Sequence, residues 1–306
     1  MNRRNVIRTI TYSTGGVILA NALPVFAKVK QSGQVACQHY TCNTFMKREG
    51  IDFSAADPAH LEKLKEAGYT GFEPSFNSVE QVVEVGKALK KAGMWISSFY
   101  VNSALHEPEL ASESITTALA IARAAKDIGA KIVVTNPVPI QWGGDETKTD
   151  EQLVLQARKL DELGGSLRDM DMSLAYHTHD AEMKRGAREF HHMLVNTHPD
   201  NVKLCLDSHW VFRGTGDSEV AIFDVVKLYG DRIVELHLRQ STDGIWSETF
   251  GPGDIDHQRL MEELKKQKIQ PHLVCEQAVE QGTPDTMDTV AALSRSLDYL
   301  ERVFVG

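Results

Sequence analysis

The chain has 306 residues, of which 42% are hydrophobic and 25% charged, with four cysteines and a formal charge of −9. That is the composition of an ordinary globular domain, and it excludes disorder, coiled coil or a disulfide-built scaffold as a description of the whole. The negative balance also argues against a nucleic-acid footprint, which needs a basic face.

The first residues read as a processing segment. Arg3, Arg4 and Arg8 form a positive head, followed by an uncharged stretch from Thr9 to Ala22 and small residues at Ala20-Asn21-Ala22 and Val25-Phe26-Ala27. This three-part pattern is that of a bacterial export signal, and the Arg3-Arg4 pair resembles the twin-arginine type. The apolar stretch is short and broken by Ser13, Gly15 and Gly16, too weak for a permanent transmembrane helix. The expectation is a signal over 1–27 and a mature chain of 28–306 that resides in the periplasm or is otherwise exported. Losing the three arginines takes the formal charge from −9 to −12. No membrane span is expected in the mature form. With export in the folded state Cys37, Cys42, Cys205 and Cys275 need not be bridged, and Cys205 and Cys275, inside apolar runs, read as core thiols.

From residue 34 onward one theme repeats, a short apolar run followed by an amphipathic stretch ending near Gly. Strands are expected at Val35–Thr41, Thr70–Pro74, Trp95–Tyr100, Lys131–Thr135, Met172–His177, Val202–Asp207, Ile233–Leu238 and Leu273–Glu276. The helices between them are punctuated. Asp57-Pro58 gives an N-cap with Pro at the first helical position, and Gly68 closes that helix. Ser78 and Gln81 form a capping-box pattern, with Gly93 at the end. Ser112 opens a long helix to Gly129. Further helices are expected over 148–169, 218–229, 256–267 and 284–302, with a short one over 183–197. Eight β/α units in about 270 residues predict a single-domain (β/α)8 TIM barrel. The rival, a doubly wound open sheet, would carry a Gly-rich fingerprint after the first strand, and Val35–Met46 has none.

In such a barrel the active site lies at the C-terminal strand ends. Those positions hold Glu73, then Tyr176-His177-Thr178-His179-Asp180 with Glu182 just after, Asp207-Ser208-His209-Trp210, His237 with Arg239, and Glu276-Gln277. Carboxylates and imidazoles gathered from neighbouring strands point to a divalent cation. Mixed nitrogen and oxygen donors suit Mn²⁺, Zn²⁺, Co²⁺ or Fe²⁺ better than Mg²⁺. His177 and His179 face the same way on a strand, so one can bind metal while the other moves protons. Trp210, Trp246 and Phe76 are candidates for stacking on a sugar face. No phosphate cradle is evident, and Arg213 and Arg239 are the only basic residues close behind the ligand positions.

Gly68-Tyr69-Thr70-Gly71-Phe72-Glu73, Leu206-Asp207, Glu235-Leu236-His237-Leu238, Val274-Cys275-Glu276 and the loop Gly251-Pro252-Gly253-Asp254-Ile255-Asp256 together resemble the xylose-isomerase-like barrel superfamily of sugar isomerases, epimerases and inosose dehydratases, in an exported twin-arginine branch. The resemblance spans 34–302. It implies a metal held by His177, Asp207, His237 and Glu276, and chelated by a keto sugar. The epimerases of the family carry Glu on strand five, where this chain has His177. Glu182 is therefore the alternative fourth ligand, with His177 preferred. Glu276, His179 and Glu182 are the candidate proton-transfer groups, and Glu73, His209, Trp210, Arg239 and Trp246 the candidate substrate contacts. The expected function is a metal-dependent sugar isomerase or epimerase, or a keto-glycoside lyase, that takes the proton beside the carbonyl of a keto sugar or 3-keto glycoside. Its partner would be a small carbohydrate, and a homo-oligomer is left open. Two rivals are a non-catalytic exported sugar-binding barrel and an AP-endonuclease-type metal phosphodiesterase.

Overall fold

The computed structural model describes residues 35–305; the expected export signal lies outside them. In chain order the elements are β1 (Val35–Gln38), α1 (His39–Arg48), α2 (Pro58–Glu66), β2 (Gly71–Glu73), α3 (Val79–Ala92), β3 (Ser98–Ser103), α4 (Pro108–Asp127), β4 (Ile132–Pro137) and α5 (Asp150–Arg168). Then come β5 (Ser173–Tyr176), α6 (Asp180–Val195), β6 (Val202–Asp207), α7 (Ser208–Gly214), α8 (Glu219–Tyr229), β7 (Ile233–Leu238), the hairpin β8 (Ser241–Thr242) and β9 (Ile245–Trp246), α9 (His257–Lys266), β10 (His272–Cys275) and α10 (Thr289–Phe304).

Eight of the strands pair in parallel in the order β2-β1-β10-β7-β6-β5-β4-β3. The remaining seam, between β2 and β3, is bridged at Gly71–Trp95 and Ser75–Tyr100, with Phe72 N–H donating to Trp95 O at 3.1 Å and Phe76 N–H to Tyr100 O at 2.9 Å. The sheet thus closes on itself as the TIM barrel that the alternation of elements predicts. Gly71 makes the closure possible: a Cβ there would lie 2.2 Å from the Trp95 indole.

Each strand presents one face to the helices and one to the barrel axis. The outward faces, with Cys37, Phe72, Phe99, Val133, Leu174, Leu204, Leu236 and Cys275, join the helix stripes in the main apolar core. Inside the staves a smaller apolar group, Val134, Ala175 and Cys205, packs against Tyr100, Ile132 and Val234. All four cysteines are free and buried.

The helix punctuation forms as local chemistry dictates. Asp57 caps α2, Ser78 caps α3, and Gly93 ends α3 in the left-handed region. Thr149 and Gln152 make a reciprocal capping box at α5. Several boundaries differ from expectation, among them β3, which runs over Ser98–Ser103 rather than Trp95–Tyr100. β1 stops at Gln38, whose side chain caps α1, so residues up to Thr41 are helical. α4 begins at Pro108 rather than Ser112, because Pro is preorganised for the first turn. α6 begins at Asp180 and breaks at Lys184–Ala187, where three successive residues have positive φ. α10 begins at Thr289, capped by Asp288, five residues after the expected start. Among the described residues no helix is long and apolar enough to cross a membrane.

Candidate active site

β5, β6, β7 and β10 end at the same level of the barrel mouth and deliver four side chains to one point. His177 follows β5, Asp207 ends β6, His237 lies in β7 and Glu276 follows β10. One ligand atom from each lies within 4.8 Å of all the others, and the four side chains are buried. His177 Nε2 is 3.6 Å from Asp207 Oδ2 and 4.0 Å from Glu276 Oε2. His237 Nδ1 is 3.2 Å from Glu276 Oε2.

The bonding of these groups tests whether an ion fits. Asp207 Oδ1 is used as the N-cap of α7, accepting from Trp210 N–H at 2.8 Å. Its Oδ2 and both nitrogens of His177 are buried with no hydrogen-bond partner. Such orphaned groups cost about 1–3 kcal/mol each unless another partner satisfies them. Metal–ligand bonds of about 2.0–2.2 Å place adjacent donors about 3.0–3.6 Å apart. The mixed nitrogen–oxygen set at these spacings fits one divalent cation of the Mn²⁺, Fe²⁺, Co²⁺ or Zn²⁺ type.

Charge at the cluster is strongly biased. Burial opposes the Glu276 carboxylate, but Arg239, with Nη2 3.0 Å from Oε2, and His237 outweigh it and hold its pKa well below the usual range. Burial likewise opposes a proton on His237, yet Cys205, Glu73 and Glu276 outweigh it and hold its pKa well above the usual value. His179 goes the other way. Burial and then His177 push it well down, so its imidazole is neutral near pH 7. Its ring is 4.9 Å from that of His177 and 5.2 Å from Trp210.

The remaining candidates fall at different distances from the cluster. Glu182 lies outside the group of four. It is fully buried, its Oε1 accepting from Asn136 Nδ2 at 3.0 Å and its Oε2 from His179 N–H at 2.7 Å. Burial first and Glu189 second push it up to about 7. Glu73 lies on the opposite side of the His237 ring from Glu276, with Oε2 3.0 Å from Nε2. Arg239 is buried, its guanidinium 4.2 Å from the Trp246 ring centre. His209 packs against Trp210, Phe212 and Trp246, with neither ring nitrogen bonded. Burial, then Arg239, pushes it down to about 3. Phe76 is buried against Phe99. Arg213 makes a two-pronged pair with Glu280 at 3.0 and 2.8 Å.

Four neighbours were not singled out from sequence. Asn136 ends up in place because β4 runs to Pro137, past the expected end at Thr135; its Nδ2 also donates to His177 O at 3.2 Å. Tyr100 sets its ring 5.5 Å from His177. Trp142, 55% exposed in the loop after β4, stands edge-on to His179 at 5.0 Å. Glu235 lies beside His237. Two carried a readable signal: Glu235 sits two residues before His237 on one strand and so shares its face, and Tyr100 is the last residue of an expected strand.

The chain belongs to the xylose isomerase-like TIM barrel family, whose model matches residues 61–303. Solved structures with this fold include a sugar phosphate isomerase/epimerase from Parabacteroides distasonis, 18% identical, covering 92% of this chain and 98% of that one at a TM-score of 0.69. The 3-keto-D-glucoside 4-epimerase of E. coli is 15% identical over 88% of this chain and 99% of its own, at 0.65. A xylose isomerase-like TIM barrel protein from Mycobacterium smegmatis, in complex with magnesium, is 16% identical over 90% and 97%, at 0.66. At these identities the likeness establishes the fold. No curated protein sequence matches the chain.

Proposed function

We propose that the protein is a divalent-metal-dependent sugar isomerase or epimerase-like enzyme that removes the proton beside the carbonyl of a keto sugar or 3-keto glycoside, with isomerisation or elimination as the outcome. The observation that carries this reading is the buried set of His177, Asp207, His237 and Glu276, with His177 and Asp207 Oδ2 unpartnered. The family supports it, and so do the solved relatives, which include an L-ribulose 3-epimerase and the 3-keto-D-glucoside 4-epimerase.

His177, Asp207, His237 and Glu276 would hold the ion. When bound, it supplies Lewis acidity that stabilises negative charge on a carbonyl oxygen. The neutral imidazole of His179 accepts the proton from the adjacent carbon, whose C–H electron pair moves towards the carbonyl. Return of the proton to the neighbouring carbon isomerises the sugar, and return on the other face epimerises it. Loss of a β-leaving group eliminates. Trp210 and Trp142 flank His179 and offer apolar faces to a sugar ring, while Arg239 holds the Glu276 carboxylate in place. Asn136 and Glu182 tie down the backbone of the turn that carries both histidines.

The test is to strip the purified protein with chelator, reload it with Mn²⁺, Co²⁺, Zn²⁺ or Fe²⁺, and assay keto sugars and 3-keto glycosides. The reading expects one ion per chain and turnover that returns with it, and loss of both in Asp207→Ala, His237→Ala and Glu276→Ala. His177→Ala is expected to behave like those three and Glu182→Ala to keep its ion. Full metal occupancy in all four ligand variants would place the site elsewhere. We further propose that the mature chain begins near Lys28 outside the cytoplasm. N-terminal sequencing from the native host decides it, and an intact Met1 on cytoplasmic protein would contradict it.

A further inference from the structure

The barrel interior holds a polar layer on the far side of the His237 ring from the proposed ion. Glu235 Oε1 lies 3.2 Å from His237 Nε2 in hydrogen-bonding geometry. Glu73 Oε2 is nearer, at 3.0 Å, but neither of its oxygens has a hydrogen-bond partner. Burial opposes the Glu73 charge but His237 outweighs it, so Glu73 acts on the ring by charge; burial and then Glu73 push Glu235 up to about 8, and its Oε1 is the oxygen in line with the N–H. Both carboxylates are fully buried. Cys205 lies in the same layer, its Sγ 3.6 Å from Glu235 Oε1 and grouped with His177 and His237. The opposite ring nitrogen, Nδ1, faces Glu276 Oε2.

An imidazole that donates from one nitrogen presents the lone pair of the other. Which nitrogen becomes a ligand is set by the partner of its opposite number. Two buried acidic side chains inside a barrel are an expensive feature unless they serve something, and here they converge on one ring nitrogen.

Resting on the metal-site reading above, we propose that Glu235 is a positioning residue: by accepting the Nε2 proton of His237 it fixes Nδ1 as the ligand atom and sets the ring plane towards His177, Asp207 and Glu276. Glu235 and His237 occupy alternate positions of β7, so both point to the axis, and the acceptor is built into the strand that carries the ligand. β7 pairs with β10 on one side and β6 on the other, which fixes the backbone and leaves the rotation of the ring to its side-chain partners. The second group of three, Glu73, Glu235 and His237, also brings ligand atoms within 4.8 Å. If a cation sat there, Nε2 would be the ligand and Glu235 a direct contact, which is the opposite assignment.

The experiment uses the purified folded protein, stripped and titrated with Mn²⁺, free ion being read by electron paramagnetic resonance. Relative to wild type, Glu235→Leu is expected to weaken binding by about 100-fold and Glu235→Gln, whose amide oxygen still accepts, by about 10-fold, the span measured for partners of ligating histidines. Glu73→Gln, off the N–H direction, should weaken it less than Glu235→Gln. Glu248→Gln, a buried carboxylate whose partners are Thr286, Met287 and Arg48 and no member of the cluster, should change nothing. If the leucine variant does not fold, the near-isosteric glutamine variants carry the comparison. In Zn²⁺-loaded, ¹⁵N-histidine-labelled wild type, His237 should carry its proton on Nε2. Wild-type affinity in Glu235→Gln and Glu235→Leu, a larger loss in Glu73→Gln, two ions per chain, or a proton on Nδ1 would each overturn the proposal. A wild type that binds no ion would instead overturn the metal-site reading itself.

Discussion

His179 is the proposed proton acceptor. It is half-buried, neutral near pH 7, beside a proposed ligand and flanked by Trp142 and Trp210. Acid–base groups contribute typically ~10²–10⁴-fold, so His179→Ala should lower turnover by that order while the ion stays bound; unchanged turnover would reduce the residue to packing. Glu182 gives a second prediction, on stability. Its pKa in the folded chain is about 7, above the ordinary 4.5. Between those values the folded state binds more protons than the unfolded one, so its contribution is fully present below pH 4.5 and is lost as pH rises through 7. Metal-free wild type should therefore lose thermal stability relative to Glu182→Gln between pH 5 and 8, and parallel profiles would contradict this. The strand-end residues were legible because the barrel dictates where chemistry sits. The separate places of Glu182 and Glu73 were not. Sequence shows that Glu182 lies three residues after His179, but not that its carboxylate turns back to cap the helix that begins there. Nor does it show that Glu73 reaches across the barrel to β7.

At the scale of elements, alternation and capping residues carried the fold, while boundaries moved wherever a polar residue could cap earlier than an apolar count suggests. Gln38 does this, ending β1 early; Asp207 ends β6 where expected and starts α7 in the same step. α1 and α7 were invisible for that reason: no loop separates them from their strands. The hairpin β8–β9 is likewise held by side chains distant in sequence. Asp254 accepts from Ser241 Oγ at 2.7 Å and from the N–H groups of Asp243 and Gly244 at 2.9 Å. The β2–β3 seam is the weakest join of the barrel and depends on Gly71 lying under Trp95. Overpacking of this kind costs typically about 1–3 kcal/mol. Gly71→Ala should lower the denaturant midpoint accordingly, and adding Trp95→Leu should recover part of the loss. Full additivity of the two changes would show that the indole contact is not the cause.

At the scale of the whole molecule, the barrel turns a linear series of strand ends into a ring, and only there do residues 177, 207, 237 and 276 become neighbours. The central claim is that this ring holds an ion beside a proton acceptor and works on the carbon next to a sugar carbonyl. Solvent exchange reports that step whatever the final product. The decisive measurement is deuterium incorporation from D₂O into keto sugars and 3-keto glycosides, followed by NMR, with the metal-loaded protein, the stripped protein and His179→Ala. The account predicts exchange at the carbon beside the carbonyl with loaded wild type, none after stripping, and strong slowing in the variant. A fully loaded protein that exchanges no deuterium into any of these sugars would contradict it.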